Sequence, residues 1–159
     1  MKIALPTLIA AVAVAGVAST APADPMKRHT IVPPQEIKWE PAPAVLPPGA
    51  EAALLFGDPS KEGVFVLRLR LPAGYRVAPH THPVDEIVTV ISGTFYKGMG
   101  DTADPSKAQP LPAGSFFALP PGTAHYVFTK EETVIQISTN GPWGLTYINP
   151  KDDPRQKTQ

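Results

Sequence analysis

The sequence predicts an all-β protein: a single jelly-roll β-barrel preceded by an extended Pro-rich N-terminal arm. Three observations carry this expectation. Short runs rich in β-branched and aromatic residues recur between turn clusters such as Gly57-Asp58-Pro59 and Pro72-Ala73-Gly74. From Val64 to Leu71 the odd positions Phe65, Leu67, Leu69 and Leu71 are apolar while Arg68 and Arg70 share the other face, the period-two alternation of a half-buried strand. Six prolines between Ile31 and Gly49 forbid a regular helix or a central strand in that segment.

At the start of the chain, Lys2 precedes an apolar run from Ile3 to Val17 broken by Pro6 and Thr7, and Ala21-Pro22-Ala23 follows as a small-x-small site. This is the pattern of a secretory signal peptide over residues 1–23, cleaved after Ala23; a membrane anchor would need a longer apolar run. The expected product is exported, periplasmic or secreted, and free of the membrane after cleavage. It retains 136 residues, enough for one domain with a core. Fourteen basic and fourteen acidic residues balance in the full chain, and losing Lys2 leaves a net charge of −1. With no clustered basic stripe, nucleic acid is excluded as a partner. The absence of cysteine excludes both disulfides and a thiolate metal site.

Residues 24–50 read as the arm. Ile31, Val32, Ile37, Trp39, Val45 and Leu46 give it apolar anchors that a disordered linker would lack, so it is expected to lie along the barrel. Residues 51–149 read as the barrel, with strand patterns at Ala52–Phe56, Val64–Leu71, Glu86–Ser92, Thr94–Tyr96, Ser115–Leu119, His125–Phe128, Thr133–Ser138 and Leu145–Ile148. About eight or nine strands of this kind suit a jelly roll. Gly98 to Pro112 reads as a polar loop, and the charged tail 150–159, without apolar anchors, as frayed.

The chemistry-bearing residues cluster. His80 and His82 stand in H-T-H-P-V-D-E, one residue apart, and on an extended strand such a pair projects to one face. Pro79 and Pro83 argue against a helix there. Glu86 opens the β-branched run Glu86-Ile-Val-Thr-Val-Ile91, and His125 follows Pro120-Pro-Gly-Thr-Ala. Three imidazoles and a carboxylate make the donor set of a mononuclear metal site. A single buried histidine is more often a satisfied core residue, but three of the chain's four histidines fall in these two strings. The fourth, His29 beside Lys27 and Arg28, reads as part of a solvated arm, and Asp85 as a surface or turn residue.

Gly74, His80, His82, Glu86 and Gly93, with intervals of five, one, three and six residues, form one ordered block; Gly114, Pro120, Gly122 and His125, with five, one and two, form a second. The two blocks resemble the paired signature motifs of the cupin superfamily over Gly74 to Thr129. Thr129 departs from the pattern, where the family often carries Asn, and puts a structural hydrogen bond in doubt. The resemblance implies that His80, His82, Glu86 and His125 are the metal ligands. It also implies a homodimer exchanging arms or strands, and activities ranging over dioxygenases, decarboxylases and oxidases, isomerases and lyases.

Imidazole and carboxylate accept Fe, Mn, Zn, Ni, Co or Cu as a divalent ion, so the sequence does not choose the metal. Phe117, Tyr126, Phe128 and Trp143 either wall a pocket or pack in the barrel. Gln136, alone among apolar residues on its strand, and Arg68 and Arg70 either enter the cavity or face outward. The sequence thus points to an exported metal cupin acting on a small organic substrate, with dioxygenase-like oxidation the leading activity. The alternatives are a non-catalytic module binding a small ligand or metal, and a non-redox lyase, isomerase or decarboxylase.

Overall fold

The structure, a computed structural model, describes residues 29–156. The chain divides into two units, residues 1–30 and 31–159. Of the first, only His29 and Thr30 are described, both exposed, so the signal-peptide expectation over 1–23 lies outside the described residues. The second unit carries eleven strands among its described residues: β1 (Glu40–Pro41), β2 (Glu51–Phe56), β3 (Gly63–Leu71), β4 (Arg76–Thr81), β5 (Glu86–Ser92), β6 (Thr94–Met99), β7 (Gln109–Pro112), β8 (Phe116–Leu119), β9 (His125–Thr129), β10 (Thr133–Gly141) and β11 (Thr146–Tyr147).

All strand pairs are antiparallel. They form two sheets, in the orders β1-β2-β3-β10-β5-β8 and β11-β4-β9-β6-β7. The jumps from β3 to β10 and from β4 to β9 are the non-consecutive neighbours of a jelly roll. The alternation in β3 does what its sequence dictates. Phe65, Leu67, Leu69 and Leu71 are buried, and Leu67 and Leu69 face Ile137 and Ile135 across the pair with β10. Phe95 of β6 stacks on Phe117 of β8 with ring centroids 6.1 Å apart, tying one sheet to the other through the core.

The arm lies along the barrel as its anchors require. Its β1 adds to the edge of β2, where Pro41 withholds no hydrogen bond from a central ladder. Leu46 is buried in the core, and the Tyr147 hydroxyl donates to the Val45 carbonyl at 2.8 Å. Trp39 packs under the Arg70 guanidinium at 4.1 Å from the ring centroid.

Two segments differ from the sequence reading. The span 98–112 is not a single loop: β6 continues to Met99, a 3-10 turn occupies Pro105–Lys107, and Gln109–Pro112 forms β7. β7 is an edge strand with two prolines and one buried residue, Leu111, too little pattern to register as a strand in sequence. The described part of the tail, to Gln156, forms 3-10 turns at Pro150–Asp152 and Pro154–Gln156, and Asp153 accepts a forked pair of bonds from Arg155. A side-chain pair of that kind leaves no apolar periodicity to read.

Gly93 joins β5 to β6 with φ of +73°, and a Cβ there would meet the Glu132 carbonyl oxygen at 2.5 Å. Both the backbone conformation and the close approach require glycine. Gly93→Ala is therefore expected to destabilise the fold by about 1–3 kcal/mol or more, measured as a shift in the urea midpoint at unchanged m-value.

Candidate metal centre

His80 lies on β4 directly opposite His125 on β9. A register irregularity separates Val77 from His80. Without it, strict alternation would send residues 77 and 80 to opposite faces, whereas here both line the same cavity. Pro79, which cannot donate to the ladder, sits within this irregularity. His82 follows the end of β4, where its carbonyl accepts from the Gly122 N–H at 2.9 Å, a link between the two motif blocks. Glu86 opens β5 of the other sheet. Histidines from one sheet and a carboxylate from the other thus meet inside the barrel.

The imidazole donor atoms of His80, His82 and His125 lie within 4.8 Å of one another. Glu86 Oε2 is 3.1 Å from His125 Nε2, and Glu86 Oε1 is 3.5 Å from His82 Nε2. The four residues are between 0% and 6% exposed. Each ring is held from behind: His80 Nδ1 donates to the Ala78 carbonyl at 2.7 Å, His82 Nδ1 to the Gly144 carbonyl at 2.6 Å, and His125 Nδ1 to the Thr123 carbonyl at 3.0 Å. A carbonyl only accepts, so each Nδ1 carries the proton and each Nε2 presents its lone pair to the centre.

His82 Nε2, His125 Nε2 and Glu86 Oε2 are buried and make no hydrogen bond among the described residues. With the proton on Nδ1, the 3.1 Å approach of Glu86 Oε2 to His125 Nε2 sets two acceptors face to face, a contact that a cation between them would make favourable. Buried acceptors left in this state are costly unless a ligand satisfies them, by about 1–3 kcal/mol each. A divalent cation accepts lone pairs from both imidazole and carboxylate, so the residues present fit a metal ion.

The protonation states agree. Burial, and then the neighbouring His125, push the His80 pKa down to about 3, and burial pushes His82 down as well. For Glu86 burial acts upward, but its contact with His125, and after that those with His82 and His80, outweigh it and hold the carboxyl below its usual range. At neutral pH His80 and His82 are neutral and Glu86 is ionised, the forms that coordinate metal.

The surrounding cavity is small, about 30 Å³, room for about two water-sized bodies. Apolar side chains such as Leu46, Val77, Phe95 and Leu145 line it, together with Trp143. Trp143 stacks on His82 with centroids 4.6 Å apart and planes 15° from parallel.

The other pocket candidates sit elsewhere. Arg68, Arg70 and Gln136 stand on the outer face of their sheet, since their neighbours in sequence point into the core. There Arg68 Nε donates to Gln136 Oε1 at 3.0 Å, and Arg70 pairs with Glu51 at 2.8 Å. Tyr126 and Phe128 alternate with His125 and Val127, so they face away from the cavity. The Tyr126 hydroxyl donates to the Asp104 carbonyl, and Phe128 stacks on Tyr96 at 4.8 Å. Phe117 is barrel core against Phe95. Asp85 and His29 are exposed.

Sequence reasoning missed Lys97. It shares the inward parity of Phe95 on β6, opposite Val127, and its ammonium lies 5.0 Å from the Phe117 ring centroid. Burial lowers its pKa while the charge of Glu86 acts the other way. The period-two pattern from Phe95 could have shown its inward face. The Gly144 carbonyl left no sequence signal at all.

Thr129 resolves the doubt its position raised. Its hydroxyl donates to the Pro72 carbonyl at 2.6 Å and accepts from the Tyr75 N–H at 3.2 Å, holding the turn that leads into β4.

Two sheets closed over a buried triad of histidines, with both signature blocks converging on it, define a cupin barrel. The chain belongs to the DUF4437 family, a domain of unknown function, whose model matches residues 19–146. Germin-like protein 3-1 of Oryza sativa subsp. japonica is 29% identical over 101 residues, covering 63% of this chain and 41% of that protein. The chain thus spans less than half the length of this curated relative. Among solved structures, the polyketide cyclase RemF from Streptomyces resistomycificus superposes with a TM-score of 0.64 at 17% identity, covering 82% of this chain and 93% of that one. A protein from Methylibium petroleiphilum PM1, provisionally assigned as an acetylacetone dioxygenase, gives a TM-score of 0.60 at 20% identity, covering 79% and 85%. At these identities the likeness shows the fold.

Single variants separate metal binding from folding. Purified without chelator, the wild type is expected to hold about one equivalent of a divalent transition metal, and His80→Ala and His125→Ala each less than a tenth of that, by elemental analysis. Circular dichroism of the variants should remain that of a β-barrel.

Proposed function

We propose that the protein is an exported mononuclear-metal cupin that oxidises a small organic substrate with dioxygen. The carrying observation is the trio of back-bonded imidazoles that converge with Glu86 on a buried point, where His82 Nε2, His125 Nε2 and Glu86 Oε2 find no hydrogen-bond partner among the described residues. A divalent metal held by His80, His82, Glu86 and His125 would supply redox or Lewis-acid chemistry there. The chain's own contribution is positional. The Ala78, Gly144 and Thr123 carbonyls fix the ring orientations, and beyond the ligand residues the lining is apolar.

Dioxygenation suits this lining because both oxygen atoms enter the substrate, so no external reductant or second cofactor site is needed. The provisional dioxygenase assignment of the Methylibium structure supports the same reading. Export rests on the signal pattern of residues 1–23, and a mature chain beginning at Asp24 is the outcome that N-terminal sequencing of the exported protein should give. A homodimer is part of the proposal through the family resemblance, and light scattering on the purified protein tests it.

One observation favours a second reading. A cavity of about 30 Å³ admits a diatomic molecule or two waters but not a phenol or a diketone without movement of the lining. A non-catalytic metal-binding module would need no larger space. Oxygen-electrode measurements on protein reconstituted anaerobically with Fe(II) separate the two. Uptake stimulated by acetylacetone or a catechol, absent in His125→Ala, is the result expected of the enzyme. Stoichiometric zinc in the native protein and no uptake with any such substrate would leave the module.

A further inference from the structure

One part of the metal cavity's wall comes from the arm. Leu46 lines the cavity beside His80, His82 and Glu86, whereas the other lining residues all belong to the barrel, between 69 and 145. Leu46 is buried in the core cluster, yet it sits in no strand: its N–H donates to the Pro43 carbonyl at 2.9 Å, closing a turn. Tyrosine hydroxyls hold the carbonyls on either side of it. Tyr147 donates to Val45 at 2.8 Å and Tyr75 donates to Pro47, and both tyrosines are buried. Tyr147 pairs with His80 across β11 and β4, so the strap that carries Leu46 is tied to the strand that carries a ligand.

Leu46 also lines a second, outer cavity. This cleft of about 470 Å³ lies between the arm and the C-terminal turns, walled by residues such as Pro41, Ala42, Ala44, Pro48 and Pro154. Among the described residues Leu46 alone is common to the two linings. The outer volume falls in the range of small-molecule sites, about 300–1,000 Å³, and the inner one of about 30 Å³ falls far below it. Prolines fix the backbone around the cleft, so its shape is preformed. No carboxylate lines it among the described residues, and its single cation, Arg155, is forked onto Asp153. Such a wall suits an uncharged, apolar body.

Resting on the metal-cupin reading, we propose that the outer cleft seats the apolar body of the organic substrate, and that Leu46 is the partition its reacting end must pass to reach the metal cavity. The substrate class is an uncharged ring or short-chain compound with its polar atoms gathered at one end. Leu46 is then a specificity-determining residue, because its side chain sets the width of what crosses from the larger space to the smaller. The division of labour also explains how an inner cavity of about 30 Å³ serves a substrate too large to lie within it. The body stays between arm and tail, and the polar end alone goes in.

The test uses the full mature protein and its Leu46→Ala, Leu71→Ala and Ala44→Trp variants, each loaded with Co(II), with cobalt content read first. Stopped-flow absorption then follows the binding of acetylacetone, an uncharged diketone, and of azide as a small control for the inner site. Leu71→Ala removes the same side-chain atoms from the inner cavity but does not line the outer cleft. Ala44→Trp fills the cleft from an exposed position and leaves the inner lining alone. Acetylacetone is expected to associate about tenfold faster or more in Leu46→Ala, about tenfold slower in Ala44→Trp and within about twofold of wild type in Leu71→Ala, with azide unchanged throughout. Equal acceleration in the two leucine variants, or an unchanged rate in Ala44→Trp, would overturn the assignment. Should Leu46→Ala fail to fold, Ala44→Trp decides it, since position 44 is exposed. A wild type that takes up no cobalt removes the metal reading and the proposal with it, whereas full cobalt with either overturning result removes the partition alone.

Discussion

Everything at this site depends on three hydrogen bonds from imidazole Nδ1 to backbone carbonyls. Each fixes a tautomer and a ring orientation together, because a carbonyl cannot donate and the proton must therefore reside on Nδ1. The accepting carbonyls belong to Ala78 on β4, Thr123 just before β9, and Gly144 between β10 and β11. Two of the three lie only two residues from the ring they hold, so the local strand geometry itself aims His80 and His125. The third is distant in sequence, and it makes the placement of His82 conditional on the whole barrel having closed. Folding and site formation are in this way one event.

The same closure concentrates unfavourable electrostatics at one point. Three ring nitrogens and a carboxylate meet with almost no exposure, burial drives His80 and His82 to their neutral forms, and Glu86 is held below its usual range. Such a cluster contributes nothing to the stability of the core by itself, since hydrophobic residues of similar volume would avoid unsatisfied acceptors. Its retention in the middle of Leu, Val, Phe and Ile side chains makes sense as a binding function. The tight apolar lining then sets the scale of what binds.

Much of the barrel was legible in the sequence because burial on one sheet face imposes a period of two. The alternation over Val64–Leu71 placed Phe65, Leu67, Leu69 and Leu71 correctly in the core. The spacing of His80, His82, Glu86 and His125 indicated a common site, and the four side chains do converge. Illegible features were of three kinds. Edge strands such as β7 have too few buried residues to show a period. Outward residues such as Arg68 and Gln136 look like cavity candidates until register fixes their face, and a one-residue slip reverses it. Backbone donors and acceptors, such as the Gly144 carbonyl behind His82, carry no residue-type signal. The irregularity in β4 that brings Val77 and His80 to the same cavity lies beyond pattern reading, although Pro79 marks its place.

The central claim is that His80, His82, Glu86 and His125 together hold one metal ion. X-ray absorption at the metal edge of the reconstituted protein tests it most directly. Three imidazole nitrogens and one carboxylate oxygen are expected in a shell at about 2.0–2.2 Å, the range for nitrogen and oxygen donors on a divalent ion such as zinc. A bound metal without imidazole scattering, or surrounded only by oxygen donors, would contradict it.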